Sequence, residues 1–300
     1  MCDSGGGSRR LSNEEESEQL FRRSEFATSG RASPGSLIQF PARRSLTSTT
    51  TSLTPCQKST IESQCPPAPP SPSPGGAGDP HLVLANGQTT DFRGVNNTYF
   101  NFITSPGFGF NIKTNDADFM LEKVLVHGSF MTEAHIFTEE AKISLFGEKI
   151  GKTNLVLLNG TCNSKNFKIG PHRLLDCKTI RIKTEYSSFI VSTSDWKLII
   201  RLNFVYNRLK GPFTRIDFEV EKLSNVESHG IIGQSYYLDK DTKGEIDIYP
   251  LEGEFTTYSM ANGVIDGSYK DYIVSSPYEY TFKYSKYRDN LFTTRISTGS

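Results

Sequence analysis

Residues 214–220 read Thr-Arg-Ile-Asp-Phe-Glu-Val, so Thr214, Ile216, Phe218 and Val220 alternate with charged side chains. Successive side chains of a strand point to opposite faces, and this period of two predicts a strand with one buried face. Similar alternation occurs at 180–182, 198–204 and 278–284, and no sustained 3.6-residue pattern occurs after Gly78. The pattern therefore predicts an all-β domain.

Turn-forming dipeptides separate the alternating segments. Short strands between such dipeptides are typical of antiparallel sheets. Together with the 20 Phe and 13 Tyr residues, they predict an antiparallel two-sheet β-sandwich. The dipeptides are Pro106-Gly107, Asn159-Gly160, Gly170-Pro171, Gly211-Pro212 and Asn262-Gly263.

The chain before this domain has a different composition. Residues 1–55 are rich in Ser, Thr, Arg and Gly, and such a segment buries too little apolar surface to offset the entropy of ordering, which predicts a disordered tail. Residues 56–77 contain Cys56, Cys65 and a proline-rich run at 66–74, which favours an extended spacer. Residues 78–300 then form the predicted sandwich domain.

Charge and hydropathy exclude several partners. The chain has 33 basic and 33 acidic residues and a formal net charge of zero, so no overall field attracts nucleic acid or an anionic membrane. No apolar run approaches the roughly 18 residues that a membrane-spanning helix needs. We therefore expect neither a nucleic-acid partner nor a membrane span.

Motifs of turnover enzymes are also missing from the sequence. The five histidines are scattered, and the chain has no Cys-x-x-Cys or His-Glu-x-x-His spacing that would predict zinc. It also has no Gly-x-Ser-x-Gly, no P-loop and no Gly-x-Gly-x-x-Gly. We therefore expect a protein that is not an enzyme.

Two cysteines inside the predicted domain could be bridged. Cys162 follows the apolar run at 155–158 and Cys177 precedes the strand at 180–182, so a disulfide would close the excursion through Gly170-Pro171. Cys56 and Cys65 are a second candidate pair ahead of the linker. Reduced thiols in a cytosolic protein are the alternative.

Two Asn-x-Thr sequons lie at predicted turns. They begin at Asn96 and Asn159 and would suit glycosylation of a secreted chain. The N-terminus begins Met1-Cys2-Asp3 and shows no hydrophobic segment of a signal peptide. Secretion would thus need a start further upstream or an unconventional route, and a cytoplasmic location is the alternative.

Three ordered motifs resemble a known module. Gly78-Asp79-Pro80-His81, followed by a turn at Asn86-Gly87, resembles the opening of a von Willebrand factor type D domain. Residues 229–236 resemble the late glycine turn of that family, with His229 and Ile232 where cysteines are usual. Residues 264–274 resemble the last segment of inter-alpha-trypsin inhibitor heavy chains, and the cysteine-free turn is similar to that of plant root-cap, late-embryogenesis-like proteins.

The resemblance bears on a calcium site. Asp239, Asp241 and Asp247 occupy positions 1, 3 and 9 of a loop spaced like an EF-hand loop, but Lys243 and Pro250 stand where that loop wants ligands. Type D domains commonly bind calcium after the late glycine turn, so the resemblance implies Ca²⁺ at these carboxylates. A solvated, charged turn is the alternative.

The resemblance also bears on processing. In several type D relatives the Asp-Pro bond of the motif breaks, and in the heavy chains the freed Asp becomes esterified to a glycosaminoglycan. Here that bond joins Asp79 to Pro80, and His81 could donate the proton. An Asp79 that only caps a turn is the alternative.

Three functions remain open. The first is a non-enzymatic structural or interaction module of an extracellular or cell-surface protein, with protein or glycan partners in the matrix or in adhesion. The second is self-processing at Asp79-Pro80, with covalent attachment to a matrix glycan. The third is a cytosolic stress- or development-related scaffold with a phosphorylated tail, since paired arginines precede Ser12, Ser24 and Ser45.

Overall fold

The computed structural model describes residues 73–149, 156–167, 172–185, 188–237 and 243–287. Most of the regular structure in these ranges is β-strand, as the alternation predicts. Neither of two short 3₁₀ helices, Gly233–Tyr236 and Tyr269–Tyr272, is long and apolar enough to cross a membrane. The described strands are β1 Gly75–Ala77, β2 His81–Val83, β3 Thr89–Asp91, β4 Thr98–Ser105, β5 Phe108–Leu121, β6 Val124–Phe137, β7 Lys142–Lys149, β8 Val156–Cys162, β9 Lys165–Phe167, β10 Leu174–Cys177, β11 Ile180–Thr184, β12 Ser188–Ser192, β13 Trp196–Phe204, β14 Arg208–Lys210, β15 Thr214–Lys222, β16 Gly253–Thr256 and β17 Ile273–Val274.

The strands form two sheets. The first has the order β10-β11-β12-β13-β15-β1-β2-β3, and the second has the order β17-β4-β5-β6-β7-β8-β9, with β14 beside β5 and β16 beside β6. All pairs are antiparallel except β16 with β6, which is parallel. The predictions for the tail at 1–55, for Cys56 and Cys65 and for the linker at 66–72 lie outside the described residues.

Aromatic side chains join the two sheets. The ring of Phe218 on β15 lies 5.5 Å from that of Phe102 on β4 and 5.3 Å from that of Phe110 on β5, both edge to face. Trp196 on β13 stacks on Phe108 and is fully buried. These contacts between inner faces confirm the predicted all-β, two-sheet sandwich.

The burial pattern of β15 follows the sequence alternation. Thr214, Ile216, Phe218 and Val220 are buried, while the charged residues between them are half-exposed. β15 pairs with β13 on one side and with β1 on the other. A Cβ on Gly75 would lie 2.2 Å from the carbonyl oxygen of Phe218, so β1 approaches β15 as only glycine allows.

Two local predictions are wrong. The alternating Tyr and Phe residues at 278–284 do not form a strand. The amide groups of residues 280 and 281 donate to Glu279 Oε1, while Asn111 Nδ2 donates to the carbonyls of Pro277 and Glu279. The side chains of Glu279 and Asn111 therefore bind backbone groups that a neighbouring strand would otherwise bind. The rings of this segment pack individually and not as one face of a strand.

Asn159-Gly160 is not a turn. Both residues lie inside β8, opposite Phe146 and Leu145 of β7. A Cβ at Gly160 would meet the ring of Phe167 at 2.3 Å, so this glycine makes room for an aromatic side chain rather than for a turn. The chain reverses after β8 at 163–164, which have positive φ.

Cys162 and Cys177 are bonded in the structure, and their Cα atoms are 6.0 Å apart. Cys162 ends β8 in the second sheet, and Cys177 ends β10 at the edge of the first. The disulfide therefore ties the edge strand β10 of the first sheet to β8, the strand next to the edge of the second sheet. In the chain-entropy model a loop of this length contributes about 3 kcal/mol to stability.

Candidate functional site

The Gly78-Asp79-Pro80 segment is the turn that joins β1 to β2. Gly78 has a φ of 73°, which favours glycine. Its N–H donates to Asp217 Oδ1 of β15 at 3.1 Å, and the Pro80 carbonyl accepts from Phe92 N at 2.8 Å. The predicted processing site is therefore held on both sides by the first sheet.

The Asp79 carboxyl group points into the protein and is only 8% exposed. Oδ1 accepts a hydrogen bond from Ser129 N at 3.0 Å, and Oδ2 accepts one from the Tyr249 hydroxyl at 3.2 Å. A Cβ on Gly128 would lie 2.5 Å from Oδ2. The carboxyl thus fits closely against the β6 backbone, which a larger residue at 128 would prevent.

Two further buried carboxylates lie beside Asp79. Asp91, opposite His81 in the β2–β3 hairpin, has its Oδ1 2.6 Å from His81 Nδ1, and its Oδ2 accepts from Asp247 N at 2.7 Å. Asp247 is in turn 6% exposed. Of the residues predicted for processing and for calcium, Asp79, His81 and Asp247 therefore lie in one group. With Asp91 and Tyr249 they are named here the Asp79 cluster.

Burial and pairing set the protonation of this cluster. Burial raises the pKa of Asp79 from 3.8 to about 6, because desolvation penalises the carboxylate more than its hydrogen bonds and His81 stabilise it. The hydrogen bond to Asp91 raises the pKa of His81 above 6.5. Burial also raises the pKa of Tyr249, so its hydroxyl remains a donor. Near pH 6, Asp79 therefore exists as both acid and carboxylate.

Asp247 does not fit the predicted calcium site well. Its Oδ1 accepts from the backbone N–H groups of Tyr258 and Ser259 and from the Ser259 hydroxyl, at 3.1 to 3.3 Å. An oxygen that already accepts three hydrogen bonds is a poor cation ligand. Asp239 and Asp241 lie outside the described residues, and within the ranges described no three His, Cys, Asp or Glu side chains are grouped to hold a metal. Calcium stays a prediction.

The Asp79 cluster has the groups that Asp-Pro cleavage needs. In such a cleavage a carboxyl oxygen of Asp79 would attack the carbonyl carbon of its own residue, the bond to the Pro80 nitrogen would break, and the carboxyl proton would move to that nitrogen. Water would then open the cyclic anhydride to give a C-terminal Asp79. A carboxyl that keeps its proton near pH 6 supplies this proton without strong acid.

The late glycine turn forms a second polar cluster, and the isolated bridge between Thr104 and His229 joins this turn to β4. His229 is buried, and its Nε2 lies 3.1 Å from Asp266 Oδ2. The Tyr272 hydroxyl donates to Asp266 Oδ1, and Gln234 Nε2 lies 3.1 Å from that hydroxyl. These polar contacts and the stacking of His229 on Tyr272 hold the turn together.

The two sequon asparagines differ in setting. Asn96 is exposed just before β4, whereas Asn159 is half-buried inside β8. Asn96 Oδ1 accepts from Asp116 N at 3.2 Å and from Asn115 Nδ2 at 3.4 Å. Neither contact uses Asn96 Nδ2, the atom to which an N-linked glycan would be attached.

Two members of the Asp79 cluster, Asp91 and Tyr249, and the backbone donor Ser129 were missed in the sequence. Tyr249 is 170 residues from Asp79 and Ser129 is 50 residues away, and no local pattern connects such positions. The position of Asp91 could have been predicted, because a hairpin centred on Asn86-Gly87 places it opposite His81.

Compared with models of protein families and with curated proteins, the chain matches none of them.

Proposed function

We propose that this chain is a structural and interaction module of an extracellular or cell-surface protein, resembling type D domains, with protein or glycan partners in the matrix. The observation that carries the proposal is the bond between Cys162 and Cys177 across the two sheets. Disulfides persist in oxidising compartments and are rare in the cytosol. The Gly78-Asp79-Pro80-His81 motif and the late glycine turn support the same assignment.

Peptide mapping of protein from native tissue or secreting cells tests this proposal. We expect one peptide pair, linked through Cys162 and Cys177, that separates only after reduction. Free alkylation of both thiols in the folded protein would instead favour the cytosolic scaffold. A Cys162→Ser, Cys177→Ser double variant is the matched control, because it has no sulfur atoms to bond and should give no linked peptide pair.

A second candidate function is self-processing at the Asp79-Pro80 bond, and the buried Asp79 carboxyl with its raised pKa favours it. Because the acid form supplies the leaving proton, cleavage should be faster at pH 5 than at pH 7.5. An alcohol of a glycan that replaced water in opening the anhydride would leave an ester on Asp79.

Incubation of purified protein at both pH values, followed by N-terminal sequencing, tests this function. We expect a fragment that begins at Pro80 and that is absent from Asp79→Ala. Tyr249→Phe keeps the ring but removes the hydroxyl on Oδ2, so it should change the rate without moving the cut. An intact chain after days at pH 5 would exclude self-processing and leave the module proposal untouched.

A further inference from the structure

A groove of about 430 Å³ lies where the chain between β14 and β15 crosses β5 and β6. Gly211 fixes this crossing, because a Cβ there would lie 2.4 Å from the carbonyl oxygen of Asp116 on β5. Strand β7 closes the side of the groove at Gly147, where a Cβ would lie 2.5 Å from Thr214 Oγ1. The lining residues on which the argument depends are Asn96, Asn115, Thr132, Glu133, Phe146 and Phe213.

One wall of the groove is polar. Thr132 Oγ1 donates to Asn115 Oδ1 at 2.7 Å, and Asn115 Nδ2 donates to Asn96 Oδ1. These groups form a row of amide and hydroxyl groups across β5 and β6. Glu133 extends the row, and its pairing with Lys113 at 2.8 Å fixes its orientation.

The opposite wall is aromatic. Phe213 is 37% exposed, and the guanidinium of Arg208 lies 3.7 Å from its ring centroid. Phe146 of β7 also lines the groove, beside Glu133, its cross-strand neighbour on β6. An aromatic wall facing a row of amides and hydroxyls suits a sugar, whose C–H faces pack on rings while its hydroxyl and acetamido groups form hydrogen bonds.

Asn96 is both a lining residue and the first residue of the Asn96-Asn97-Thr98 sequon. Its Oδ1 is held by β5 at 3.2 Å from Asp116 N, which orients the side-chain amide along the rim. A glycan on Nδ2 would thus start at the groove that Phe213 also lines. Asn159, the other sequon asparagine, does not line this groove.

We propose that the groove holds the first N-acetylglucosamine units of a glycan linked to Asn96 and that this contact fixes the 211–214 segment onto β5 and β6. The inference rests on the proposed extracellular function, because only a secreted chain would carry the glycan. Its occupant is the protein's own glycan rather than a free sugar, since the attachment atom is on the rim.

The test compares glycoforms of the whole secreted chain. Wild type and Thr98→Val, which removes the sequon but keeps Asn96, are each expressed with and without an inhibitor of glycan transfer. Relative to wild type, Thr98→Val should lower Tm in both conditions. We expect the decrease to be about 2 to 4 °C larger for protein from glycosylating cells than for protein from inhibited cells. Thr161→Val is the matched control, because it removes only the Asn159 sequon and should not show this difference.

A second variant tests the groove itself. Phe213→Ala should lower Tm more in the glycosylated chain than in the unglycosylated one, because it removes a surface that the sugar uses. Trimming the glycan enzymatically to one N-acetylglucosamine should retain part of the stabilisation. Equal effects of Phe213→Ala on both glycoforms would overturn the inference.

The outcomes separate this inference from the proposed function. A chain with the Cys162–Cys177 bridge whose Asn96 is unmodified, or whose glycan leaves Tm unchanged, overturns only the groove inference. Free thiols together with unmodified Asn96 and Asn159 overturn both. Binding of added chitobiose to the unglycosylated chain, with no Tm difference between glycoforms, would show a groove for free sugar and contradict the proposed occupant.

Discussion

Two histidine–aspartate pairs of this domain have opposite burial. In the Asp79 cluster the side chain of His81 is 53% exposed and that of Asp91 is 7% exposed. In the late glycine turn the side chain of His229 is 2% exposed and that of Asp266 is 52% exposed. Both pairs are within ion-pair distance, at 2.6 and 3.1 Å.

The pair with a buried aspartate and the pair with a buried histidine differ in the sign of the histidine shift. The hydrogen bond to buried Asp91 raises the pKa of His81, whereas burial lowers the pKa of His229 although Asp266 opposes the shift. Which partner loses its water therefore decides which charge the fold favours. The first cluster favours an imidazolium and the second a neutral ring.

The largest expected effect comes from the glycines that allow each cluster to form. A Cβ at Gly230 would lie 2.6 Å from the carbonyl oxygen of Phe102, and Gly230 has a φ of 104°. The three atoms nearest to a Cβ at Gly128 all belong to the Asp79 carboxyl, with Oδ2 at 2.5 Å. We expect Gly230→Ala to cost about 3 to 5 kcal/mol and Gly128→Ala about 1 to 3 kcal/mol in urea unfolding.

Gly87→Ala is the control for the backbone term. Gly87 has a φ of 80° but no heavy atom within 4 Å of an added Cβ, so it isolates the cost of positive φ at about 1 kcal/mol. The double variant Asp79→Ala, Gly128→Ala tests the contact itself. Its loss of unfolding free energy should be smaller than the sum of the losses for the two single variants, because the added Cβ at residue 128 clashes with Asp79. Additive costs would contradict the close fit.

The next effect is the pH dependence that Asp79 confers. A carboxyl whose pKa rises on folding from 3.8 to about 6 favours the protonated folded state. Its contribution is complete below about pH 4 and is lost as pH rises through 6, a loss of about 3 kcal/mol. Subtracting the Asp79→Asn stability curve from that of wild type should therefore give a decline between pH 4 and 6. Parallel curves would contradict the raised pKa.

The smallest expected effect on stability comes from the titration of the two histidines, His81 and His229. In NMR titrations we expect His81 to have its midpoint above 6.5 and His229 below 6.5. His81 then stabilises the fold at low pH and loses this contribution as pH rises through its folded pKa, whereas His229 stabilises it above 6.5 and loses this as pH falls. Midpoints on the same side of 6.5 would refute the comparison.

Asp266→Asn sharpens the same comparison. Removing this exposed charge should lower the midpoint of His229 further and change stability by no more than about 1 kcal/mol. Lys286 and Tyr272 remain beside the ring as before. A midpoint that does not move would mean that Asp266 does not act on the imidazole.

The sequence predicted those parts of the fold that depend on local pattern. The alternation at 214–220 predicted β15 because one face of that strand packs on the second sheet. The same pattern failed at 278–284, where Asn111 and Glu279 bind the backbone groups and the rings pack without a ladder. Alternation reports side chains that can be buried and not the hydrogen bonds available to the backbone.

The candidate site was predictable only in part. Asp79 and His81 stand in a short motif, and the turn at Asn86-Gly87 carried the information that pairs His81 with Asp91. Tyr249 and Ser129 reach Asp79 only through the packing of β6 and of the segment before β16 onto the first sheet. Asp247 was chosen for its spacing in a loop, and its buried position came from contacts that spacing does not contain.

Strand β1 has a mechanical consequence. Gly75 and Gly76 pair with both β15 and β2, and Pro74 accepts a hydrogen bond from Val220. A pull on the chain ahead of residue 73 therefore enters the sheet through three residues without large side chains. Only two positions of β1 pair with β15, whereas nine positions of β15 pair with β13. The strand would therefore yield under a smaller force than β15, and it would carry Asp79, two residues beyond, out of its place against β6.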